Sequence, residues 1–307
     1  MPIEFDDSRV DVGGVDDRRG AGGLGGIGGG GIAVGGGVGI VGLIIYLLFS
    51  VLAGSDGGTG GVPLPADGSQ VSSSGQTETS AQLKARCNSP GALENYTDCR
   101  VIKVYNVADT VWSQEFARRG LPYRSPRIVF FTRATSTGCG RASAQTGPFY
   151  CPADQRLYFD LGFLQQLQTR FGATGEFAQA YIVAHEFGHH LQTLLGTEPK
   201  VRAAQERNPS LANRYSVALE LQADCYAGVW ANLADASRQN GIGVTSGNIR
   251  EAQNAAAAVG DDRIQLETQG RVSPESFTHG TAQQRSQWFT TGYRTGDIDQ
   301  CDTFSQV

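Results

Sequence analysis

Residues 185 to 190 read His-Glu-Phe-Gly-His-His, and this stretch holds three of the four histidines in a chain of 307 residues. Two imidazoles four apart, with a glutamate beside the first, form the H-E-x-x-H arrangement of zinc sites. Four helical residues turn through about 400°, so His185 and His189 project from one face, one turn apart, and can share a tetrahedral metal. Glu186 lies about 100° round the helix, beside the metal rather than on it. His190 points a similar angle away from His189, which makes it a supporting or surface residue and not a ligand. Around the motif, Phe177, Ala178, Ala180, Tyr181, Ile182, Ala184, Leu191, Leu194 and Leu195 give the pattern of a largely buried helix.

A catalytic zinc keeps three protein ligands and one open position, so two histidines need one more donor. Glu220, in Glu220-Leu-Gln-Ala-Asp224, is the best candidate, on a helix that begins after Pro209 and runs towards Trp230. Asp224 falls one turn further on the same face. It suits the carboxylate that takes the outer N–H of a metal-bound imidazole, with His185 the expected partner.

At this point the chain resembles the bacterial neutral zinc metallopeptidases. The likeness rests on Ala-His-Glu-Phe-Gly-His-His at 184 to 190, Glu-Leu-Gln-Ala-Asp-Cys-Tyr-Ala-Gly-Val-Trp at 220 to 230, Phe-Thr-His-Gly-Thr at 277 to 281, and Gln-Cys-Asp-Thr-Phe near residue 301. It covers roughly residues 85 to 307. It implies a membrane-anchored peptidase with a zincin-like domain, Zn2+ as cofactor, His185, His189 and Glu220 as ligands, and Glu186 as general base. The Glu-x-x-Ala-Asp element is also similar to that of integral-membrane gluzincins, where a Thr-His-Pro segment follows; this chain has Thr278-His279-Gly280.

The implied chemistry is hydrolysis of a peptide bond by a zinc-activated water, with Glu186 taking the proton and passing it to the leaving amine. A second group should steady the oxyanion. His279, Arg285, Tyr226 and Tyr293 are the candidates, in that order, and a structural hydrogen bond is the alternative role for His279. The runs Arg127 to Thr132 and Gln155 to Leu161 read as strands before the metal helix, and an edge strand at 155 to 161 could pair with an extended peptide. With helices expected at 106 to 119, 163 to 171, 246 to 259 and 281 to 294, the domain is α+β, mostly helical, with a small sheet.

Half of the 42 glycines lie in residues 13 to 61, a density that argues against a packed core there. Within this region, residues 32 to 54 form an uncharged stretch long enough for one membrane helix. Arg18 and Arg19 precede it and no basic residue follows until Lys84, so the positive-inside rule puts the N-terminus in the cytoplasm and the bulk of the chain outside. A cleavable signal peptide and a soluble glycine-rich tail are the rival readings. The expected organisation is a Gly-rich cytoplasmic tail (1–31), a transmembrane helix (32–54), a flexible linker (55–84) and a zinc metallopeptidase domain (85–307).

All six cysteines follow the apolar segment, which suggests disulfides in an oxidising compartment. Of fifteen connectivities, the sequential one, 87–99, 139–151 and 225–301, is favoured because its first two loops are short. No C-x-x-C pair supports a structural zinc site instead. A net charge of −5 without a basic cluster argues against a nucleic-acid partner. Two function classes follow: a tethered zinc peptidase of the cell envelope acting on peptides or proteins, and a noncatalytic envelope protein that keeps its metal for folding or partner binding.

Overall fold

A computed structural model describes residues 3–5, 8–19, 78–164, 175–237 and 242–307. The helices are α1 (Ser80–Cys87), α2 (Ala92–Asn95), α3 (Thr97–Arg118), α4 (Glu176–Leu194), α5 (Thr197–Arg207), α6 (Ala212–Ser237), α7 (Ser246–Ala258), α8 (Asp261–Gln269) and α9 (Ala282–Thr295). The strands are β1 (Glu4–Phe5), β2 (Val15–Asp17), β3 (Arg127–Phe131), β4 (Ala134–Thr137), β5 (Gly140–Ser143), β6 (Phe149–Cys151), β7 (Arg156–Asp160) and β8 (Ile242–Gly243). The expected α+β, mostly helical character with small sheets is what the described residues show. Three helices start on reciprocal capping boxes, Thr79 with Gln82, Thr245 with Asn248 and Thr281 with Gln284, which satisfy backbone N–H groups that a first turn leaves open.

The main sheet has the order β2-β3-β7-β6, with β2, β3 and β7 parallel and β6 antiparallel to β7. Because side chains alternate across a strand, Ile128 and Phe130 enter the large helical core while Val129 and Phe131 join Phe149, Cys151 and Tyr158 in a smaller cluster on the other face. Both faces of β3 are thus covered, as its continuous apolar run requires. The strand at 155 to 161 is not an edge. β7 lies between β3 and β6, so the edge beside the helices is β6, whose three residues carry too little alternation to be read from sequence.

α3 begins nine residues earlier than its apolar stripe suggests. Asp98, Arg100 and Lys103 interrupt that stripe, yet all three are buried with partners: Asp98 pairs with Arg86 and Arg19, Arg100 with Glu176 and Gln179, and Lys103 with Ser8. The expected helix at 163 to 171 is described only as far as residue 164.

The N-terminal region departs most from expectation. Residues 3–5 and 8–19 are not a tail apart from the domain. β1 pairs with β8, β2 adds a parallel strand to β3, and Ile3, Val10, Val12 and Val15 are buried in the common core. Arg18 and Arg19, the charges that oriented the chain in a membrane, instead pair with Asp16, Asp17 and Asp98. The linker likewise ends earlier than expected, since α1 starts at Ser80. The expected span at 32 to 54 lies outside the described residues; among the described residues no helix is long and apolar enough to cross a membrane.

The disulfides are Cys87–Cys99, Cys139–Cys151 and Cys225–Cys301, the sequential pairing. The last closes a loop of 76 residues and ties α6 to the C-terminal segment. Loop-closure entropy makes it worth about 4–5 kcal/mol, against about 3 for each 12-residue loop. The double variant Cys225→Ser/Cys301→Ser should therefore lower the thermal midpoint more than Cys139→Ser/Cys151→Ser. Equal losses in calorimetry would show that loop length does not govern the difference.

Candidate metal site

α4 carries the H-E-x-x-H residues through the middle of the molecule, with both imidazoles less than a tenth exposed. Its first turn has no side-chain cap of its own; the Glu251 carboxylate accepts from the Phe177 backbone N–H instead. The helix meets α6 at Gly188, where a Cβ would lie 3.0 Å from both the Cα and the carbonyl oxygen of Ala223. Only a glycine permits that approach without a shift. It brings Glu220 and Asp224 of α6 against the two histidines.

The three expected ligands come together. His185 Nε2 lies 3.2 Å from Glu220 Oε2, and His189 Nε2 lies 3.4 Å from Glu220 Oε1. The three residues offer ligand atoms all within 4.8 Å of one another. Bonds of 2.0–2.1 Å to a tetrahedral zinc put neighbouring ligand atoms about 3.3 Å apart, so the spacing fits the ion, as does the His2Glu donor set. His189 Nε2, Glu220 Oε1 and Glu186 Oε2 are all buried and without a hydrogen-bond partner. Orphaned polar atoms cost stability, and three at one place are what an ion would satisfy.

Asp224 stands where the sequence predicted, its Oδ1 2.8 Å from His185 Nδ1. Tyr181 donates its hydroxyl to the same oxygen. Arg285 is not free to face a substrate. It is 3% exposed, with Nε 2.8 Å from Asp224 Oδ2, Nη2 3.0 Å from Asp224 Oδ1 and Nη1 on the Val259 carbonyl. It braces Asp224 from behind. Tyr226 is buried in the core against Trp112, and Tyr293 packs beside Asn232 and Asp235, two turns and more past Asp224 on α6, so neither is placed as the expected oxyanion donor.

The charges explain one another. Burial opposes ionisation of Asp224, but Arg285 and His185 outweigh it and hold the carboxyl below the usual range. Burial likewise opposes a charge on His185, yet Asp224 and Glu220 raise it to about 10. Glu220 is pulled well down, against its burial, chiefly by His189 and His185. Glu186 goes the other way: burial raises it, and the two histidines only partly compensate. The pocket thus sets a charged His185 against ionised Glu220 and Asp224 and keeps a more basic carboxylate, Glu186, next to them.

His279 lies in the loop before α9. Asp261 holds it, with Oδ1 3.1 Å from Nδ1 and Oδ2 accepting the backbone N–H of Thr278, His279 and Gly280. Gly280 has φ +88°, a conformation closed to proline, whose φ is fixed near −65°. This accounts for Thr-His-Gly where the gluzincins have Thr-His-Pro. Asp261 carried no signal in the sequence, because it precedes His279 by 18 residues in a separate helix.

His190 is a core residue. Its Nε2 is 2.7 Å from the Arg124 carbonyl and its Nδ1 3.2 Å from the Tyr150 hydroxyl. Burial pushes its imidazole down to about 4.

The chain matches the family described as "Putative neutral zinc metallopeptidase" over residues 7–304. It is 46% identical over 228 residues to the uncharacterized protein YpfJ of Escherichia coli K12, covering 74% of this chain and 77% of that one. It is 46% identical over 229 residues to the uncharacterized protein Rv2575 of Mycobacterium tuberculosis H37Rv, covering 72% of this chain and 75% of that one. No solved structure matches it.

His190→Asn should bind zinc at the wild-type stoichiometry while His189→Asn should not, as metal analysis of the purified proteins will read. The histidine of an unfolded chain titrates near pH 6.5, so the stabilisation tied to neutral His190 is complete above that pH and is lost as pH falls towards about 4. Metal-free His190→Asn should accordingly lose less thermal stability than wild type between pH 6.5 and pH 4.

Proposed function

For this chain, which belongs to the neutral zinc metallopeptidase family, we propose hydrolysis of peptide bonds, with His185, His189 and Glu220 holding Zn2+ and Glu186 as general base. One observation carries the reading. Glu186 Oε2 is buried and unpartnered beside the ligand group, and a purely structural metal has no use for a raised, unpaired carboxylate at that place. Zinc, when bound, supplies a Lewis acid and lowers the pKa of water towards about 7.

The other steps belong to the chain's own side chains. Glu186 takes the proton of the attacking water and delivers it to the leaving amine; a backbone hydrogen bond from Tyr150 steadies its carboxylate meanwhile. His279, held at Nδ1 by Asp261, keeps Nε2 for a hydrogen bond to the carbonyl oxygen as it gains charge. Asp224, braced by Arg285, keeps the His185 proton on Nδ1 and its Nε2 turned to the metal. The edge strand β6 lies against α4 at the base, and an extended peptide added along it would present a backbone carbonyl near Glu186. Three disulfides support work in an oxidising compartment outside the cytoplasm.

The test uses the full chain with a pool of unstructured peptides. Glu186→Gln should keep zinc and lose turnover by about 10²–10⁴-fold. His279→Asn should lower kcat by about 10²-fold with KM little changed, the mark of a group that acts on the transition state. A wild-type protein that binds zinc but cleaves nothing in the pool would favour the noncatalytic, metal-binding alternative.

A further inference from the structure

The two imidazoles of the metal group are oriented by different partners. His185 leans on a carboxylate, whereas His189 Nδ1 lies 2.9 Å from Oε1 of Gln192, on the same helix. What lies behind Gln192 fixes which end of its amide faces the ring. The other end is 2.7 Å from the carbonyl oxygen of Leu219. A carbonyl only accepts, so nitrogen must face Leu219 and oxygen must face His189. That oxygen also only accepts, so Nδ1 of His189 carries a proton, and in the neutral ring that a metal requires it is Nε2 that offers the lone pair.

The chain of constraints continues. Gln192 Nε2 reaches Gln222 Oε1 at 3.2 Å, and Gln222 Nε2 donates to the Cys301 carbonyl at 3.0 Å. Each amide is set by a backbone carbonyl that cannot reverse its role. Both glutamines are buried. The Cys301 carbonyl is held in turn by the Cys225–Cys301 disulfide and by Thr303, whose hydroxyl donates to the Ala218 carbonyl.

We propose that Gln192 is the positioning residue of His189, selecting the tautomer that ligates through Nε2, and that Gln222 and the Cys301 carbonyl set Gln192 from behind. The proposal rests on the zinc reading above. It makes the C-terminal segment part of the support of the metal site, although that segment offers no ligand.

Zinc affinity of the full chain, measured by competition with a chromophoric chelator, tests it. Gln192→Leu should weaken binding by about 10–100-fold. Gln192→Glu, which still presents an oxygen to Nδ1 but sets its second oxygen against the Leu219 carbonyl and Gln222 Oε1, should recover part of that loss, and Gln222→Leu should show a smaller loss in the same direction. The thermal midpoint of each metal-free protein separates folding from binding; should Gln192→Leu not fold, the glutamate and Gln222 variants carry the comparison. Unchanged affinity in Gln192→Leu, in Gln222→Leu where that one alone folds, or a glutamate variant no better than the leucine one, would overturn the proposal. Wild-type protein that binds no zinc would remove the reading beneath it, a distinguishable result.

An independent observation concerns residues 8–19. Arg18 N donates to Phe130 O at 2.8 Å, and Ile128 N to Gly14 O at 3.0 Å, so β2 is a strand of the domain's own sheet. Val10 and Asn88 exchange two hydrogen bonds, as do Asp11 and Asn106. Arg19 meets Asp98, which also binds Arg86, which binds Glu78. Residues 19 and 78 therefore share one ion-pair network. We infer that the N-terminal segment and the zinc domain occupy the same side of any membrane the chain meets, because a strand cannot pair through a bilayer.

Epitope tags at the two termini of the full chain, digested with protease in intact cells, spheroplasts and lysed cells, read this directly. Both tags should become accessible in the same preparation. Protection of one tag where the other is cleaved would overturn the inference.

Discussion

The site depends on how closely α4 can approach α6, and that distance is set by a missing side chain. Gly188 lies against the backbone of Ala223, and an added methyl would touch two of its atoms at 3.0 Å. Interiors pack too tightly to absorb such an intrusion without displacement. The residues flanking this crossing are the functional ones, His185 and His189 on one side, Glu220 and Asp224 on the other. A crossing wider by one methyl would part the ligands and leave the carboxylates without the histidines. α6 meets α9 more closely still, since a Cβ on Gly228 would fall 2.0 Å from the Phe289 carbonyl oxygen, and this packing brings Arg285 of α9 against Asp224 of α6.

Burying Glu186, Glu220 and Asp224 together is costly unless cations share the space. Among the described residues, Arg285 is the buried guanidinium that pairs with Asp224, 2.8 Å from its Oδ2. Glu220 has the two histidines at 3.2 and 3.4 Å, and Arg285 further off at 3.9 Å. The orphaned atoms of His189, Glu220 and Glu186 lie where the ligand atoms converge. A divalent ion at that point would satisfy the orphaned atoms and take the place of the proton that Asp224 and Glu220 otherwise hold on His185.

How much was legible in the sequence follows from what each feature depends on. The ligand spacing on α4 and α6 is set by helical geometry within one element, so His185, His189, Glu220 and Asp224 could be read and their mutual placement anticipated. The sequential disulfides were readable because two of them close short local loops. Arg285, Tyr226 and Tyr293 were misjudged because their chemistry suits an oxyanion but their direction depends on tertiary packing. Asp261 and Gln192 were missed for related reasons: a carboxylate from another helix leaves no periodic trace, and a glutamine near a motif is common on any helix. The integration of residues 3–5 and 8–19 was hidden by composition. The glycine-rich sequence that follows made the whole region look unstructured, while Val10, Val12 and Val15 supply enough apolar surface to fill a waiting edge.

The Cys225–Cys301 bond also has a meaning in time. Seventy-six residues separate the two cysteines, and synthesis at about 5–20 residues per second takes roughly 4 to 15 seconds to cover them. Throughout that interval a growing chain already holds both histidines and both carboxylates, but lacks the carbonyl that orders the amides behind His189. The amides behind His189 thereby gain their outermost anchor only once the chain has been made past Cys301. Biogenesis, as well as geometry, decides when that support is complete.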